Sequence, residues 1–426
     1  MKVQNKKITT DSNYLNTKQA IMPYSSPRSP IQEKQTIYTK SSSCSNSRDI
    51  KYCNKCVMNS TIPNVVFDKN GLCNYCHIHI NLEKEYPLDG SLGPKIKYLM
   101  RKIKKDGKNK EYDCAVGISG GCDSSYLLYL LKEKYDLRPL AITFDNTWSS
   151  TIAVENILNM TEALDVDLHT SVVDGNEFND ICRSFLYAST PDADVATDIA
   201  IAKLFYMAME EFDIKYSFCG HSFRSEGTVP LGWTYMDGMY INSVHKKFGT
   251  IPFKTFPNLE VEYWIKQLQR EDSIDRIRLL YYENYDKEEV KKLLNKKFGW
   301  QWYGGHHHEN EWTKFVKSYL LPNKFNIDKR YVEYSALIRS GQMQRYRAIR
   351  LLEEKPKVEK HFVDYVLKRL NLTEVEFKRI MSLEIKSHHD YKTYKSFFKK
   401  NKKQFARFLD KGLISRTFFE KYVIQY

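Results

Sequence analysis

Residues 114–125 read CAVGISGGCDSS. The small and β-branched apolar run from Cys114 to Ile118 predicts a short buried strand, Ser119-Gly120-Gly121 a bend, and Asp123-Ser124 the start of a helix. A strand that turns on two glycines into a helix aims several backbone N–H groups at one point, where the helix dipole adds positive potential. That is an anion cradle. Gly120 and Gly121 allow close backbone approach, and the hydroxyls of Ser119 and Ser124 can donate to phosphate oxygens. The stretch has neither the lysine of G-x-x-x-x-G-K-S/T nor the spacing G-x-G-x-x-G, which argues against γ-phosphoryl transfer. An ordinary strand-to-helix turn with a Ser/Asp cap is the plainer alternative.

Outward from this stretch, apolar strands alternate with helical segments. A helix over 123–135 is followed by the strand LRPLAITF (137–144), a helix over 152–164, the strand DLHTSVV (167–173), a helix over 193–212 and the strand YSFCG (216–220). Strands separated by helices predict a parallel sheet covered on both faces. Upstream, KIKYLMRKIKKDGKNK (95–110) reads as a solvated basic helix, and from Glu260 to the end the chain reads mainly helical, with a basic tail around FFKKNKKQFARF.

The chain has 426 residues, 42% of them hydrophobic, enough for a sizeable core and more than one domain. No run approaches the roughly 20 apolar residues of a membrane span, and the polar N-terminus lacks the apolar centre of a signal peptide, so a soluble cytoplasmic protein is expected. The formal net charge of +14 suits a polyanion, a nucleotide or a phosphorylated substrate, without choosing among them. Residues 1 to about 50, rich in Ser, Thr, Asn and Lys, are expected to be disordered.

Four of the nine cysteines form two C-x-x-C pairs, Cys53/Cys56 and Cys73/Cys76, with sixteen residues between. This spacing fits a four-thiolate zinc module, with Asp68-Lys69-Asn70-Gly71 as a hairpin turn between the pairs. An iron–sulfur cluster is the alternative. Four thiolates close a tetrahedron, so the expected role is structural. His306-His307-His308 invites a metal reading, but consecutive histidines are not expected to face one ion, and substrate contact or plain surface is favoured.

SGGCDS resembles the S-G-G-x-D-S loop of the PP-loop ATP pyrophosphatases, which split ATP between the α and β phosphates. With CNKCVMNSTIP, GLCNYC, TFDN, GHSFRSEG, YGGHHHENEWTKF, NIDKRYVEYSALIRSGQM and MSLEIKSHHDY in this order, the chain from about Cys53 to Tyr394 resembles the N-acetyl sugar amidotransferase family of bacterial surface-glycan synthesis. The resemblance implies a Rossmann-like PP-loop α/β fold with an N-terminal four-cysteine zinc module and a helical C-terminal region. The implied division is an extension over 1–50, the zinc module over 51–80, the ATP-binding domain over 95–255 and a helical region over 256–426.

It also implies a reaction: adenylation of an acetamido oxygen by ATP with Mg²⁺, then replacement by ammonia to give an acetamidino group. Ser119, Gly120, Gly121, Asp123 and Ser124 would hold the phosphates, with Asp123 also a candidate Mg²⁺ ligand or a plain helix cap. Phe144, Asp145 and Gly220 would flank the nucleotide, a strand-end Asx turn being the alternative for Asp145. His221 would contact phosphate or the amide oxygen, Arg224 a phosphate or sugar carboxylate, and Glu226 a metal or the ammonia. Lys314, Lys329 and Arg330 would hold sugar anions or be solvated charges. No glutaminase nucleophile is evident among the cysteines, so a separate glutaminase subunit is expected to supply ammonia. Neither membrane nor nucleic acid is expected as a partner. The rival enzymatic reading is a tRNA-modifying PP-loop enzyme, a thiolase or lysidine-type ligase; a non-enzymatic zinc protein would leave SGGCDS unexplained.

Overall fold

The computed structural model describes residues 50–270 and 275–424. The extension expected over 1–50, apart from Ile50, lies outside the described residues. Strands β1 (Cys114–Gly117), β2 (Pro139–Asp145), β3 (Leu168–Val172), β4 (Tyr216–Phe218) and β5 (Asp275–Ile277) form one sheet in the order β3-β2-β1-β4-β5. Every pairing is parallel, with Ala115 opposite both Leu140 and Ser217. The chain winds outward from β1 to β3, then crosses to β4 on the other side of β1. The β1/β4 boundary is therefore the switch point at which ligands enter open α/β sheets.

Eleven helices concern the site: α1 (Asn74–Glu85), α2 (Gly93–Asp106), α3 (Cys122–Tyr129), α4 (Thr151–Ala163), α5 (Gly175–Ala188), α6 (Val195–Glu211), α7 (Gly238–Phe248), α8 (Val261–Gln269), α9 (Lys287–Phe298), α10 (Glu311–Phe315) and α11 (Arg330–Arg339). Alternate residues of β1 face opposite layers, as the period of two requires. Cys114 and Val116 pack with Leu127, Leu128, Met160 and Leu294, while Ala115 packs with Leu140, Ala208 and Met209. The basic helix expected over 95–110 is amphipathic rather than solvated all round. Ile96, Met100 and Ile103 of α2 share one face and are buried against the sheet layer, leaving the lysines outside.

Helices α1, α5 and α7 and strand β5 escaped the sequence reading. Helix α5 is capped by Asp174, whose carboxylate accepts from the N–H groups of Asn176 and Glu177, and it anchors a second, larger core with α7, α10 and the C-terminal helices. β5 has only three residues, too few for a periodic signal, and exists because β4 offers it a parallel edge. The chain beyond α11 is helical over Arg345–Leu352, Lys360–Arg369, Glu374–Ser382, Lys395–Lys400 and Lys402–Asp410.

Candidate active site

The glycine bend is held from three sides. Gly120 has φ +74, and its carbonyl accepts from the indole of Trp300 (3.0 Å) and the amide of Asn156 (3.1 Å). A Cβ at Gly120 would stand 2.2 Å from the carbonyl oxygen of Ala153 in α4, so only glycine fits. The N–H groups of Ser119, Gly121 and Cys122 donate to the hydroxyls of Ser124, Ser119 and Tyr303. Hydroxyls can rotate aside for an oxyanion, whereas a carbonyl partner would compete with it. Gly220 approaches from β4: a Cβ there would lie 3.3 Å from the backbone nitrogen of Ser124, so the two strand-end loops touch.

Asp123 does not cap α3, which has Gly121 at its N-cap and no side-chain cap. Instead Tyr285 donates its hydroxyl to Oδ1, and the ammonium of Lys287 lies 3.5 Å from Oδ2. Burial disfavours the charge on Lys287, but Asp123 and Glu333 outweigh it and keep the ammonium protonated. Gln342, after α11, holds this pair by accepting from Lys287 N–H and donating to the Tyr285 carbonyl. Lys287 and Tyr285 were missed because nothing local distinguishes them from the many other lysines and tyrosines of the chain.

Asp123 and the bend face a cleft of about 590 Å³ at the carboxyl edge of the sheet, with Lys287 and Tyr285 supporting Asp123 from outside its lining. Ser119, Gly121, Asp123, Ser124, Phe144, Gly220, His221 and Glu226 all line it. Gly120 supports it from behind. His221 is held at both ring nitrogens, by the Tyr281 hydroxyl at Nδ1 and the Gly227 carbonyl at Nε2, both at 3.1 Å. Two expected residues are placed elsewhere. Asp145 accepts from Thr147 N–H in a tight turn, the alternative weighed for it. Arg224 is buried away from the cleft, donating to the carbonyls of Tyr281 and Tyr86 and stacking on Phe223. Its guanidinium thus ties the chain after α1 to the α/β layer, outside the lining of the cleft.

The loop 303–310 forms one wall. His307 adopts φ +61, which brings its ring to within 3.8 Å of the His306 ring, centroid to centroid, while His308 turns away to Ser318. Glu309 lines the cleft beside the glycine bend; a Cβ on Gly121 would lie 3.2 Å from its Oε1. Burial pushes the Glu309 carboxyl up, yet His307 and Lys317 outweigh it and hold it below the usual carboxylate range.

The opposite wall carries mixed charge: Asp192, Asp194 and Asp198 with Lys317, Lys329 and Lys421. Among the described residues no ion pair joins these lysines to these aspartates. Burial pushes the Lys329 ammonium down to about 7 and that of Lys421 to about 8, and raises Asp192 to about 6 and Asp194 to about 7. Such a wall can take an anion and several hydroxyl or amide groups at once. Of the other cations singled out in the sequence, Lys314 lies over the Phe362 ring and Arg330 pairs with Asp328; neither lines the cleft.

The four cysteines converge. Sγ atoms of Cys53 and Cys76, Cys56 and Cys73, Cys73 and Cys76, and Cys56 and Cys76 are each 3.6 Å apart. One tetrahedral ion at about 2.3 Å from each thiolate needs edges of about 3.8 Å. A cubane cluster, with each cysteine on a different iron, would hold them farther apart. Arg339 of α11 reaches the sulfurs of Cys76 (3.3 Å) and Cys56 (3.2 Å), so a cation offsets part of the thiolate charge.

Residues 309–406 match the family model described as LPS biosynthesis protein WbpG-like, C-terminal domain. The uncharacterized protein MJ1599 of Methanocaldococcus jannaschii is 32% identical over 117 residues, which are 27% of this chain and 40% of that relative's length. Among solved structures, this chain is similar to NMN synthetase from Francisella tularensis, with 13% identity, 69% of this chain and 98% of that one covered, and a TM-score of 0.28. The U34-tRNA thiolase NcsA from Methanococcus maripaludis, with its 4Fe-4S cluster, gives 17% identity, 76% and 99% coverage and a TM-score of 0.30. The NH3-dependent NAD synthetase from Campylobacter jejuni gives 13% identity, 63% and 99% coverage and a TM-score of 0.27. Among the described residues no helix is long and apolar enough to cross a membrane. The chain thus combines a parallel α/β sheet bearing the SGGCDS loop, a four-cysteine cluster and a C-terminal stretch matched by a WbpG-like LPS biosynthesis domain.

Proposed function

We propose that this chain is an ATP-dependent amidotransferase of bacterial surface-glycan synthesis that converts the acetamido group of an N-acetylated sugar into an acetamidino group. The observation that carries the proposal is one cleft holding both the N–H cradle at Ser119–Ser124 and the wall of lysines and aspartates. The cradle suits a leaving pyrophosphate and the wall a sugar that bears an anionic group. An amide oxygen leaves poorly, so its attack on the α-phosphorus, with departure of pyrophosphate, must precede substitution by ammonia. The N–H groups of the bend and the Lys287 ammonium would take up the charge that develops on the departing phosphates. Asp123 and Glu226 would hold Mg²⁺, which supplies charge neutralisation between phosphates. Zinc is the ion we assign to Cys53, Cys56, Cys73 and Cys76, with a structural role.

Three of the described cysteines outside the four-cysteine cluster are too buried to serve as a glutaminase nucleophile; Cys219 is the partly exposed one that lines the cleft. Burial raises the thiols of Cys114 and Cys182 and pushes that of Cys122 up to about 12, which makes them poor nucleophiles for glutamine hydrolysis. The same burial of Cys122 weighs against a sulfur-transferring tRNA thiolase. A separate glutaminase subunit is therefore part of the proposal, as is a cytoplasmic location, where ATP and glutamine are available.

The test is pyrophosphate release and mass spectrometry of candidate acceptors with ATP and ammonium salt. Stimulation by an N-acetylated acidic sugar, equal amounts of AMP and pyrophosphate, and replacement of O by NH are expected. Stimulation by tRNA instead, or formation of ADP, would overturn the proposal.

A further inference from the structure

The acids and the lysines of the mixed wall differ in how the fold satisfies them. Asp192 accepts from the N–H of Tyr235 (2.8 Å) and the hydroxyl of Tyr240 (3.0 Å), and Asp194 accepts from the hydroxyl of Thr313 (3.0 Å). Lys317, Lys329 and Lys421 have no hydrogen-bond acceptor and no ion-pair partner among the described residues. Lys329 lies 5.2 Å from the centre of the Trp233 ring and Lys421 5.1 Å from that of Tyr422, contacts that leave ammonium N–H donors without a lone pair. Burial, then the like charges of Lys317 and Lys421, disfavour the ammonium of Lys329, and Asp192 and Asp198 offset this only in part. An anion placed among the lysines would meet both needs at once.

Lys421 owes its place to its neighbours. In the turn Phe419–Ile424, Phe419, Tyr422 and Val423 are buried in the larger core, which leaves Lys421 on the side that lines the cleft. Glu420, next to it, is engaged by Arg416 at 2.8 Å. The Tyr422 ring lies 5.1 Å from that of Tyr235, the residue whose N–H holds Asp192. One packed framework thus fixes the cation and the acid on the same wall.

Resting on the amidotransferase reading, we propose that Lys421, together with Lys329, binds the anionic group of the sugar substrate and selects acidic over neutral acetamido sugars. The chemistry recognised is a carboxylate or phosphate whose oxygens accept from two ammonium groups at once. Inside the cleft such a pair is less screened than at an open surface, so the preference for the anion is large. Asp198, on the same wall, would take sugar hydroxyls.

The experiment reads sugar-dependent ATP–pyrophosphate exchange with two pairs of acceptors: a sugar acid against its carboxamide, and a neutral acetamido sugar with and without a nucleoside diphosphate. In the unmodified chain the charged member of at least one pair should be strongly preferred. In Lys421→Met its KM should rise by about 30-fold or more, the usual cost of removing one partner of a desolvated charge pair, while kcat changes far less. The uncharged member should lose little, so the preference collapses; the pair in which it collapses identifies the anion as carboxylate or diphosphate. Lys421→Arg, which keeps the charge, should recover most of the loss, and calorimetry should show ATP affinity kept in both variants. Equal loss with charged and uncharged acceptors, no loss with either, or loss of ATP affinity together with sugar affinity would overturn the inference while leaving the amidotransferase reading intact. Absence of sugar-dependent exchange in the unmodified chain would instead overturn that reading and this inference with it.

Discussion

Replacing Gly120 by alanine isolates what the bend contributes. Two costs are separable. The first is left-handed backbone, about 1–2 kcal/mol for any residue with a Cβ. The second is steric: the new Cβ would stand 2.2 Å from the Ala153 carbonyl oxygen, so the bend must withdraw from α4 by about an ångström to reach ordinary contact. That shift lengthens the bonds from Trp300 (3.0 Å) and Asn156 (3.1 Å) beyond hydrogen-bonding range and leaves two buried donors unpaired. At about 1–2 kcal/mol for each stranded donor, the total is roughly 3–6 kcal/mol, a large share of a typical folding free energy.

Gly341→Ala supplies the control. Its φ of +76 is nearly the same, but nothing lies within 4 Å of the added Cβ, so only the backbone cost applies. Urea denaturation should separate the two variants by roughly 2–4 kcal/mol, the steric part alone. Calorimetry should show ATP binding lost in Gly120→Ala and kept in Gly341→Ala. Equal destabilisation of the two variants, or unchanged ATP affinity in Gly120→Ala, would refute the packing of the bend against α4.

Cys73→Ser, or chelation, should remove the proposed zinc and with it about 10 kcal/mol of folding energy of the module. Metal analysis with limited proteolysis around residues 50–86 reports it, and a metal-free chain with unchanged proteolysis would count against a structural ion. The Lys329 ammonium is held down to about 7, below its unfolded value, so between that pH and about 10 the unfolded chain binds the extra proton and stability should rise with pH. Thermal unfolding from pH 6.5 to 9.5 should show this rise, flattened in Lys329→Met; an identical slope in the variant would refute the assignment.

The strand, the glycine bend, the alternation of strands and helices and the paired cysteines were all legible in the sequence because each rests on neighbours within a few residues. A period of two buries β1 on both faces, a glycine pair admits the bend, and two C-x-x-C turns present thiolates in pairs. Groups that reach the cleft from far along the chain were not legible. Tyr285 meets Asp123 across 162 positions, and Lys421 comes to the opposite wall from the last helical turn. Nothing in the local pattern sends Arg224 to two carbonyls rather than to an anion, or turns His307 toward Glu226 while His308 faces Ser318. Those outcomes depend on which elements pack side by side: local periodicity determines which face of each element is buried, while a polar side chain takes whatever partner the packed neighbours bring within reach.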